Sequence, residues 1–207
     1  MSSNLLAPPF ATILLTAGES QRFEGGPKAL VPVAGRPILS RLAGIAQDLG
    51  CRPVIAVVGA HSTEIRREAA TGIDVFVENA GWAAGRTGSL SAGLSALPRG
   101  SGVVVWPVDV PFVEAKTVAA LLRVAREDSV AMWFTPTYHG SGGHPILLRP
   151  EGVGFARRLP AALPLRAAPF RRGLGERRVP VTDPAVLDNA NTLTEFARAE
   201  IAWRNRS

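Results

Sequence analysis

Short, continuous apolar segments alternate with amphipathic ones along most of this chain, and this alternation restricts its fold more than any other feature. The apolar segments have the length of strands: Ala11–Thr16, Pro53–Val58, Ile73–Val77, Gly102–Pro107, Val130–Thr135 and His144–Leu148. Between or after them lie segments with helical spacing: Pro37–Leu49, Ser62–Ala69, Ser89–Leu97, Val113–Glu127 and Leu193–Arg204. Apolar strands of this kind are typical of a sheet covered on both faces. The pattern therefore predicts a three-layer, Rossmann-like α/β fold with a mostly parallel sheet.

The size and composition of the chain fit one folded domain over residues 1–207. Of its 207 residues, 46% are hydrophobic, which is enough for a full core. No apolar run approaches the ~20 residues that a membrane span needs. The segment Met1–Phe10 lacks the basic start of a signal peptide, and the single cysteine, Cys51, excludes an internal disulfide. We therefore expect a cytoplasmic protein without membrane attachment.

The net charge of +6 is concentrated in one segment. Between Arg149 and Arg178 there are eight arginines and two glutamates, so the rest of the chain is neutral. This segment also contains four prolines, which favour short helices over a long one. A basic segment on a neutral body predicts a local site for an anionic acceptor rather than a general nucleic-acid surface. A solvated arginine-rich face is the alternative.

The loop after the first predicted strand has the composition of a phosphate site. In an open parallel sheet, ligands bind outside the carboxyl ends of the strands. The loop from Ala17 to Lys28 combines small residues, which allow close approach of backbone N–H groups, with the cations Arg22 and Lys28. Lys28 is one of only two lysines in the chain. The loop matches neither a Walker A motif nor a dinucleotide fingerprint. The alternative is a surface loop with incidental charges.

Two further loops at the same edge carry suitable residues. Gly85 and Gly88 let the chain approach a flat ligand, and Ser89 stands at a predicted helix N-terminus, where N–H groups favour anions. A plain helix cap is the alternative for Ser89. Asp109 follows a buried strand and precedes a proline turn, which suits a ligand of a hard cation such as Mg²⁺. An ordinary turn former is the alternative for Asp109.

These segments resemble the motifs of a known family. L-x-A-G-x-S-x-R-F, followed by P-K-x-L-x-P-x-x-G-x-P-I-L, extends from Leu15 to Leu39. E-N-A-G-W-A-A-G-R-T-G-S-L-S-A-G-L occupies residues 78 to 94, and D-V-P begins at Asp109. The set is similar to the signature of nucleotidyltransferases related to the molybdenum cofactor guanylyl- and cytidylyltransferases. The resemblance assigns the triphosphate to the first loop, with Arg22 and Lys28 neutralising its charge. Other nucleotide-binding residues by resemblance are Leu15, Thr16, Ala17, Gly18, Ser20, Gly85 and Ser89.

Two weaker motifs complete the resemblance. H-G-S-G-G-H-P-I-L-L, residues 139 to 148, is similar to a family segment that faces the acceptor, so His144 is a candidate donor to an acceptor phosphate. A structural histidine in the turn is the alternative. D-N-A-N-T-L-T-E-F, residues 188 to 196, resembles the family's second metal-binding segment, with Asn191 (or Asn189) offering an amide oxygen to Mg²⁺. The usual P-E-D of that segment is replaced by Leu193–Glu195.

The resemblance implies a Mg²⁺-dependent transfer of a nucleotidyl group from a nucleoside triphosphate to a phosphorylated small molecule, with release of pyrophosphate. Molybdopterin is the first candidate acceptor. The family's usual G-D-x-G-A-R is missing from the region 163–178, which keeps a phosphosugar acceptor open. A non-catalytic nucleotide- or cofactor-binding chaperone on the same fold is a further alternative. Ala17, where guanylyl members tend to have glycine, favours CTP over GTP.

Overall fold

The computed structural model describes residues 9–20, 23, 26–84, 86–158 and 175–206, with only the backbone described at residues 84 and 86. The strands are β1 Phe10–Leu15, β2 Pro32–Val33, β3 Arg36–Pro37, β4 Val54–Val58, β5 Val75–Glu78, β6 Gly102–Pro107, β7 Trp133–Tyr138, β8 Ser141–Gly142, β9 Ile146–Leu148 and β10 Glu176–Pro180. The helices are α1 Ile38–Asp48, α2 Ser62–Glu68, α3 Arg86–Ser95, α4 Ala115–Glu127, α5 Pro150–Ala156 and α6 Leu193–Arg204.

Eight of the strands form one mixed sheet with the order β10-β7-β9-β6-β1-β4-β5, and β8 pairs with β7. The pairs β6-β1, β1-β4, β4-β5 and β7-β10 are parallel. Strand β9 is antiparallel to both of its neighbours, β6 and β7. The mostly parallel α/β sheet predicted from the sequence is therefore confirmed, and β1 and β6 lie side by side at its centre.

Helices cover both faces of this sheet. Because successive strand residues point to opposite sides, each strand contributes side chains to two cores. Leu14 of β1 packs into a core with helices α1, α2, α4 and α6. Its neighbour Ile13 packs into a second core with α3 and α5. None of the described helices has both the length and the apolar character needed to cross a bilayer.

Several predicted boundaries need correction, and local hydrogen bonds explain them. His61, and not Ser62, is the N-cap of α2, and the Ser62 hydroxyl accepts a hydrogen bond from Arg66 Nε at 3.1 Å. Strand β7 begins at Trp133 rather than Val130, because the Asp128 carboxylate holds the N–H groups of Val130 and Ala131 in a turn at 2.9 and 2.8 Å. Helix α3 begins at Arg86, which places Ser89 in its first turn instead of at the cap.

Candidate functional site

A cavity of about 460 Å³ opens at the carboxyl ends of β1 and β6. Loops from four parts of the chain meet there, because neighbouring parallel strands end at the same edge of the sheet. The described residues lining it are Leu15, Thr16, Ala17, Gly18, Glu19, Ser20, Pro27, Lys28, Trp82, Ala83, Ser89, Pro107, Val108, Asp109 and Asn191. Most of the site residues predicted from the sequence therefore lie around one cavity.

An ion pair between Lys28 and Asp109 lies in this cavity. The Lys28 Nζ is 2.7 Å from Asp109 Oδ1. The Lys28 side chain is 6% exposed and that of Asp109 is 17% exposed. Burying two charges carries a desolvation penalty that mutual attraction only partly offsets. The cavity thus holds a cation and an anion side by side, each able to interact with a ligand of opposite charge.

The loop after β1 is shaped around Ser20. This residue has φ 56°, a left-handed backbone conformation that residues other than glycine rarely adopt. Its hydroxyl accepts the backbone N–H of Lys28 at 3.2 Å, and its carbonyl accepts the N–H of Phe23 at 2.7 Å. The Phe23 ring in turn lies 5.7 Å from Lys28 Nζ. Ser20 and Phe23 therefore hold the backbone and the ammonium group of Lys28 in place.

Asp109 is connected to the segment that carries Asn191. The Asp109 carbonyl accepts the N–H of Ala190 at 2.8 Å. The Asn191 N–H donates to Glu195 Oε2 at 2.8 Å, and Glu195 also forms a capping box with Thr192 at the start of α6. The capping box stabilises only the start of α6. The hydrogen bond from Ala190 to Asp109 joins this C-terminal segment to the cavity, where the side chains of Asp109 and Asn191 both carry oxygen atoms.

A further part of the cavity lining is formed by the residues around Ser89. Its hydroxyl oxygen accepts a hydrogen bond from Asn79 Nδ2 at 3.0 Å, and Asn79 Oδ1 accepts the N–H of Gly81 at 3.1 Å. Trp82 packs directly over Gly59, where an added Cβ would lie 2.8 Å from the Trp82 Cβ. The sequence assigns no separate role to Asn79, although this residue lies within the motif of residues 78 to 94 and directly after β5 at the ligand-binding edge.

The remaining predicted site residues are Arg22, Gly85 and His144. Arg22 and Gly85 lie outside the described residues. The described residues that line the cavity do not include His144. The backbone N–H of His144 donates to the Val186 carbonyl at 2.9 Å, and the preceding Gly143 has no room for a Cβ beside that carbonyl. These contacts fix the turn before β9.

The basic segment is only partly described, and two of its described arginines donate to backbone carbonyls. Arg157 donates to the carbonyls of Leu94 and Leu97 at 2.7 to 3.1 Å, which caps the C-terminal end of α3. Arg149 donates to the Asp128 carbonyl. Residues 159–174, with Arg166, Arg171 and Arg172, lie outside the described residues.

Cys51 has no place in this chemistry. The thiol is buried, and burial raises its pKa to about 11, while Arg126 partly opposes that shift. A thiol with such a pKa is protonated at neutral pH and is a poor nucleophile.

The cavity suits a triphosphate with a hard metal ion. Among the described residues, no group of three or more His, Cys, Asp or Glu side chains converges as a self-sufficient metal site. One carboxylate and one amide, from Asp109 and Asn191, are instead the kind of partial oxygen set that Mg²⁺ completes with substrate phosphates and water. Lys28, the small residues Ala17 and Gly18 and the first turn of α3 provide the cationic and N–H groups that phosphates need.

Sequence comparisons show which known proteins this chain resembles. A family model described as a MobA-like NTP transferase domain matches residues 12–177. The bifunctional protein GlmU of Xylella fastidiosa strain 9a5c is 28% identical over 148 residues, which cover 71% of this chain and 32% of GlmU. The chain therefore spans about a third of the length of that relative. The nicotine blue oxidoreductase of Paenarthrobacter nicotinovorans is 33% identical over 115 residues, covering 56% of each protein.

Solved structures share the fold over nearly the whole chain. A nucleotidyl transferase from Methanothermobacter thermautotroptrophicus aligns with a TM-score of 0.79 and 18% identity, covering 96% of this chain and 99% of that one.

Proposed function

Because the chain belongs to the family of MobA-like NTP transferase domains, we propose that it transfers a nucleotidyl group from a nucleoside triphosphate to a phosphorylated small molecule, with Mg²⁺ as cofactor. The observation that carries this proposal is the Lys28–Asp109 pair, 2.7 Å apart in the cavity at the carboxyl ends of β1 and β6. A cation for phosphate and an anion for a metal ion stand there side by side.

The chemistry is an in-line substitution at the α-phosphorus. A phosphate oxygen of the acceptor forms the new bond to this phosphorus, the bond to the bridging oxygen of the β-phosphate breaks, and pyrophosphate leaves. Since the acceptor is already an anion, the reaction needs no strong general base, and positioning with charge neutralisation supplies the catalysis. We assign the triphosphate to Lys28, Arg22 and the N–H groups of the loop from Ala17 to Ser20.

Asp109 and Asn191 are the residues that fit Mg²⁺. Both line the cavity, and the Ala190–Asp109 hydrogen bond holds their backbones together. When bound, Mg²⁺ neutralises charge on the phosphate oxygens. The Lys28 ammonium contacts Asp109 Oδ1 at 2.7 Å. We therefore expect the Lys28 ammonium to move from the carboxylate to the phosphates when the nucleotide enters.

Molybdopterin is the acceptor that we favour, on the resemblance of the sequence motifs. We place it toward the turn that holds His144 and toward the basic segment 149–178. A sugar phosphate is the second acceptor class. A protein that binds the triphosphate without turnover is the third possibility.

Pyrophosphate release with a panel of triphosphates, Mg²⁺ and acceptors tests the proposal. We expect release that requires both Mg²⁺ and a phosphorylated acceptor, with molybdopterin as the best one. Release with sugar 1-phosphates alone would move the acceptor to the second class. Triphosphate binding without release under any combination would overturn the catalytic proposal.

We further propose that the protein prefers CTP to GTP, because the Cβ of Ala17 narrows the space beside the base. Ala17 lines the cavity but is only 3% exposed, and its methyl group packs mainly in the core with α3 and α5. Ala17→Gly is therefore expected to raise the affinity for GTP relative to that for CTP by only about fivefold. This corresponds to ~1 kcal/mol, the lower end for a methyl group in a pocket.

Competition binding of CTP and GTP with Mg²⁺ measures this ratio. Ala83→Gly is the matched control, because Ala83 also lines the cavity but is exposed. Tighter GTP binding by the wild type, or an equal change of the ratio in both variants, would reject the steric role of Ala17.

A further inference from the structure

The turn that carries Asp109 is held by its carbonyl groups. Three consecutive carbonyls each accept a hydrogen bond from a different part of the chain. The Asp109 carbonyl accepts from the Ala190 N–H at 2.8 Å and the Val110 carbonyl accepts from the indole Nε1 of Trp106 at 3.1 Å. The Pro111 carbonyl accepts from Nη1 of Arg41 at 2.6 Å. The position of the turn thus depends on the C-terminal segment, on β6 and on α1 together.

Arg41 is the charged member of this set, and it is held on a second side by an aromatic ring. Its guanidinium carbon lies 5.2 Å from the ring centroid of Trp203 in α6. The Trp203 ring lies 5.7 Å from that of Phe112, which directly follows Pro111. A planar guanidinium can stack on a ring and donate in its own plane at the same time, which an ammonium cannot do. Arg41 therefore contacts the turn directly at the Pro111 carbonyl and indirectly, through the Trp203 ring, at Phe112.

The surroundings of Arg41 show that its charge is retained at a cost. Burial lowers the pKa of Arg41, while the carboxylates of Asp183 and Glu114 oppose this shift. Asp183 is itself held by the Glu114 N–H, the Thr117 hydroxyl and the Ala185 N–H at 2.9 to 3.0 Å. Removing one charge from such a cluster is destabilising, so the stability of an Arg41 variant has to be measured together with its effect on the site.

From this geometry we propose that Arg41 is a positioning residue for the metal-binding carboxylate. It contacts the carbonyl of Pro111, two residues beyond Asp109, and so limits the movement of the turn rather than touching nucleotide or metal. Ligands of a metal ion must be held to about 0.5 Å for full affinity. The inference rests on the proposed function, since it takes Asp109 as the metal ligand.

The test measures Mn²⁺ affinity by the electron paramagnetic resonance signal of free Mn²⁺, with the protein saturated by the triphosphate that the wild type binds best. Arg41→Met removes the donor. We expect this change to lower the Mn²⁺ affinity at least about tenfold, because one hydrogen bond from a charged group is lost. Arg41→Lys keeps the charge but cannot both stack and donate, so we expect a loss of about threefold. Triphosphate affinity without metal should stay within about twofold of wild type in both, because neither touches the phosphates.

Arg123→Met and Arg123→Lys are the matched controls, since Arg123 is an exposed helix arginine paired with Glu127 at 3.1 Å. Mn²⁺ affinities of the Arg41 variants equal to those of the controls would overturn the proposal, as would an equal loss of metal-free triphosphate binding. Arg41→Lys decides the question alone if the Met variant does not fold. Asp109→Asn is measured in parallel. If this variant binds Mn²⁺ as the wild type does, the proposed metal site itself is wrong. If it loses Mn²⁺ affinity while the Arg41 variants bind Mn²⁺ as the wild type does, only the positioning role is refuted.

Discussion

Asp109→Asn is expected to lower the rate of pyrophosphate release at least about 10³-fold, because the charge neutralisation by a metal ion is worth several kcal/mol and each 1.36 kcal/mol is tenfold in rate. Asparagine keeps the shape of the side chain and an oxygen that accepts from Lys28 Nζ, which lies 2.7 Å away in the native protein. The fold should therefore survive, and the loss should come from the missing negative charge. Steady-state rates and a thermal unfolding curve of the same sample measure both expectations.

Asp128→Asn is the matched control for this change. Asp128 has a similar exposure, 22% against 17% for Asp109, and it ends helix α4 instead of lining the cavity. Its carboxylate accepts two backbone N–H groups, which lower the pKa of Asp128. Asp128→Asn is therefore expected to affect stability more than turnover. Activity of Asp109→Asn within tenfold of the wild type would remove Asp109 from the mechanism.

The central part of the fold could be predicted from the sequence because its signals are local. Each central strand is an uninterrupted apolar run, and the predicted bounds of Gly102–Pro107 and Leu193–Arg204 are those of β6 and α6. Strand β10 was missed, since only Val179 of its five residues is buried and the others are polar or proline. An edge strand of this kind has no apolar pattern to reveal it.

The cavity could be predicted for a different reason. Parallel strands end at one edge of a sheet, so a sequence that places Gly18 and Asp109 directly after predicted strands also brings them together in space. The rule brings the two loops together, whereas the 2.7 Å contact between Lys28 and Asp109 depends on side-chain packing and could not be predicted from it.

Contacts that depend on the packing of helices could not be predicted in this way. Arg41 reaches the Pro111 carbonyl because α1 and the turn lie on the same face of the sheet, and no spacing along the chain encodes that. Arg157 belongs to the basic segment that we expect on the acceptor side, but its guanidinium caps α3, because a helix end with open carbonyls lies within its reach. The charge of an arginine is visible in the sequence, whereas its partner is decided by tertiary structure.

The Lys28–Asp109 pair leads to a second expectation, in which one substitution has opposite effects on two ligands. The Lys28 ammonium lies against the carboxylate that we assign to the metal, so it repels a cation there. In the proposed nucleotide complex we expect the same ammonium to neutralise phosphate. Metal alone should therefore bind weakly, and triphosphate and metal should each favour the binding of the other.

Lys28→Met is thus expected to strengthen Mn²⁺ binding to the nucleotide-free protein by about fivefold or more, since two unit charges 4 Å apart repel by about 1 kcal/mol even in water. It should also weaken triphosphate binding by about 10- to 150-fold, the equivalent of the 1.5–3 kcal/mol of a charge-assisted hydrogen bond. Electron paramagnetic resonance of Mn²⁺ and calorimetry with the triphosphate measure the two effects. Lys116→Met is the matched control, because Lys116 is the chain's other lysine and pairs with Glu114 at the same 2.7 Å, but on the surface and away from the cavity. An Mn²⁺ affinity of nucleotide-free Lys28→Met equal to or below that of Lys116→Met would show that the ammonium does not oppose the metal at Asp109, and unchanged triphosphate affinity would remove Lys28 from the phosphate site.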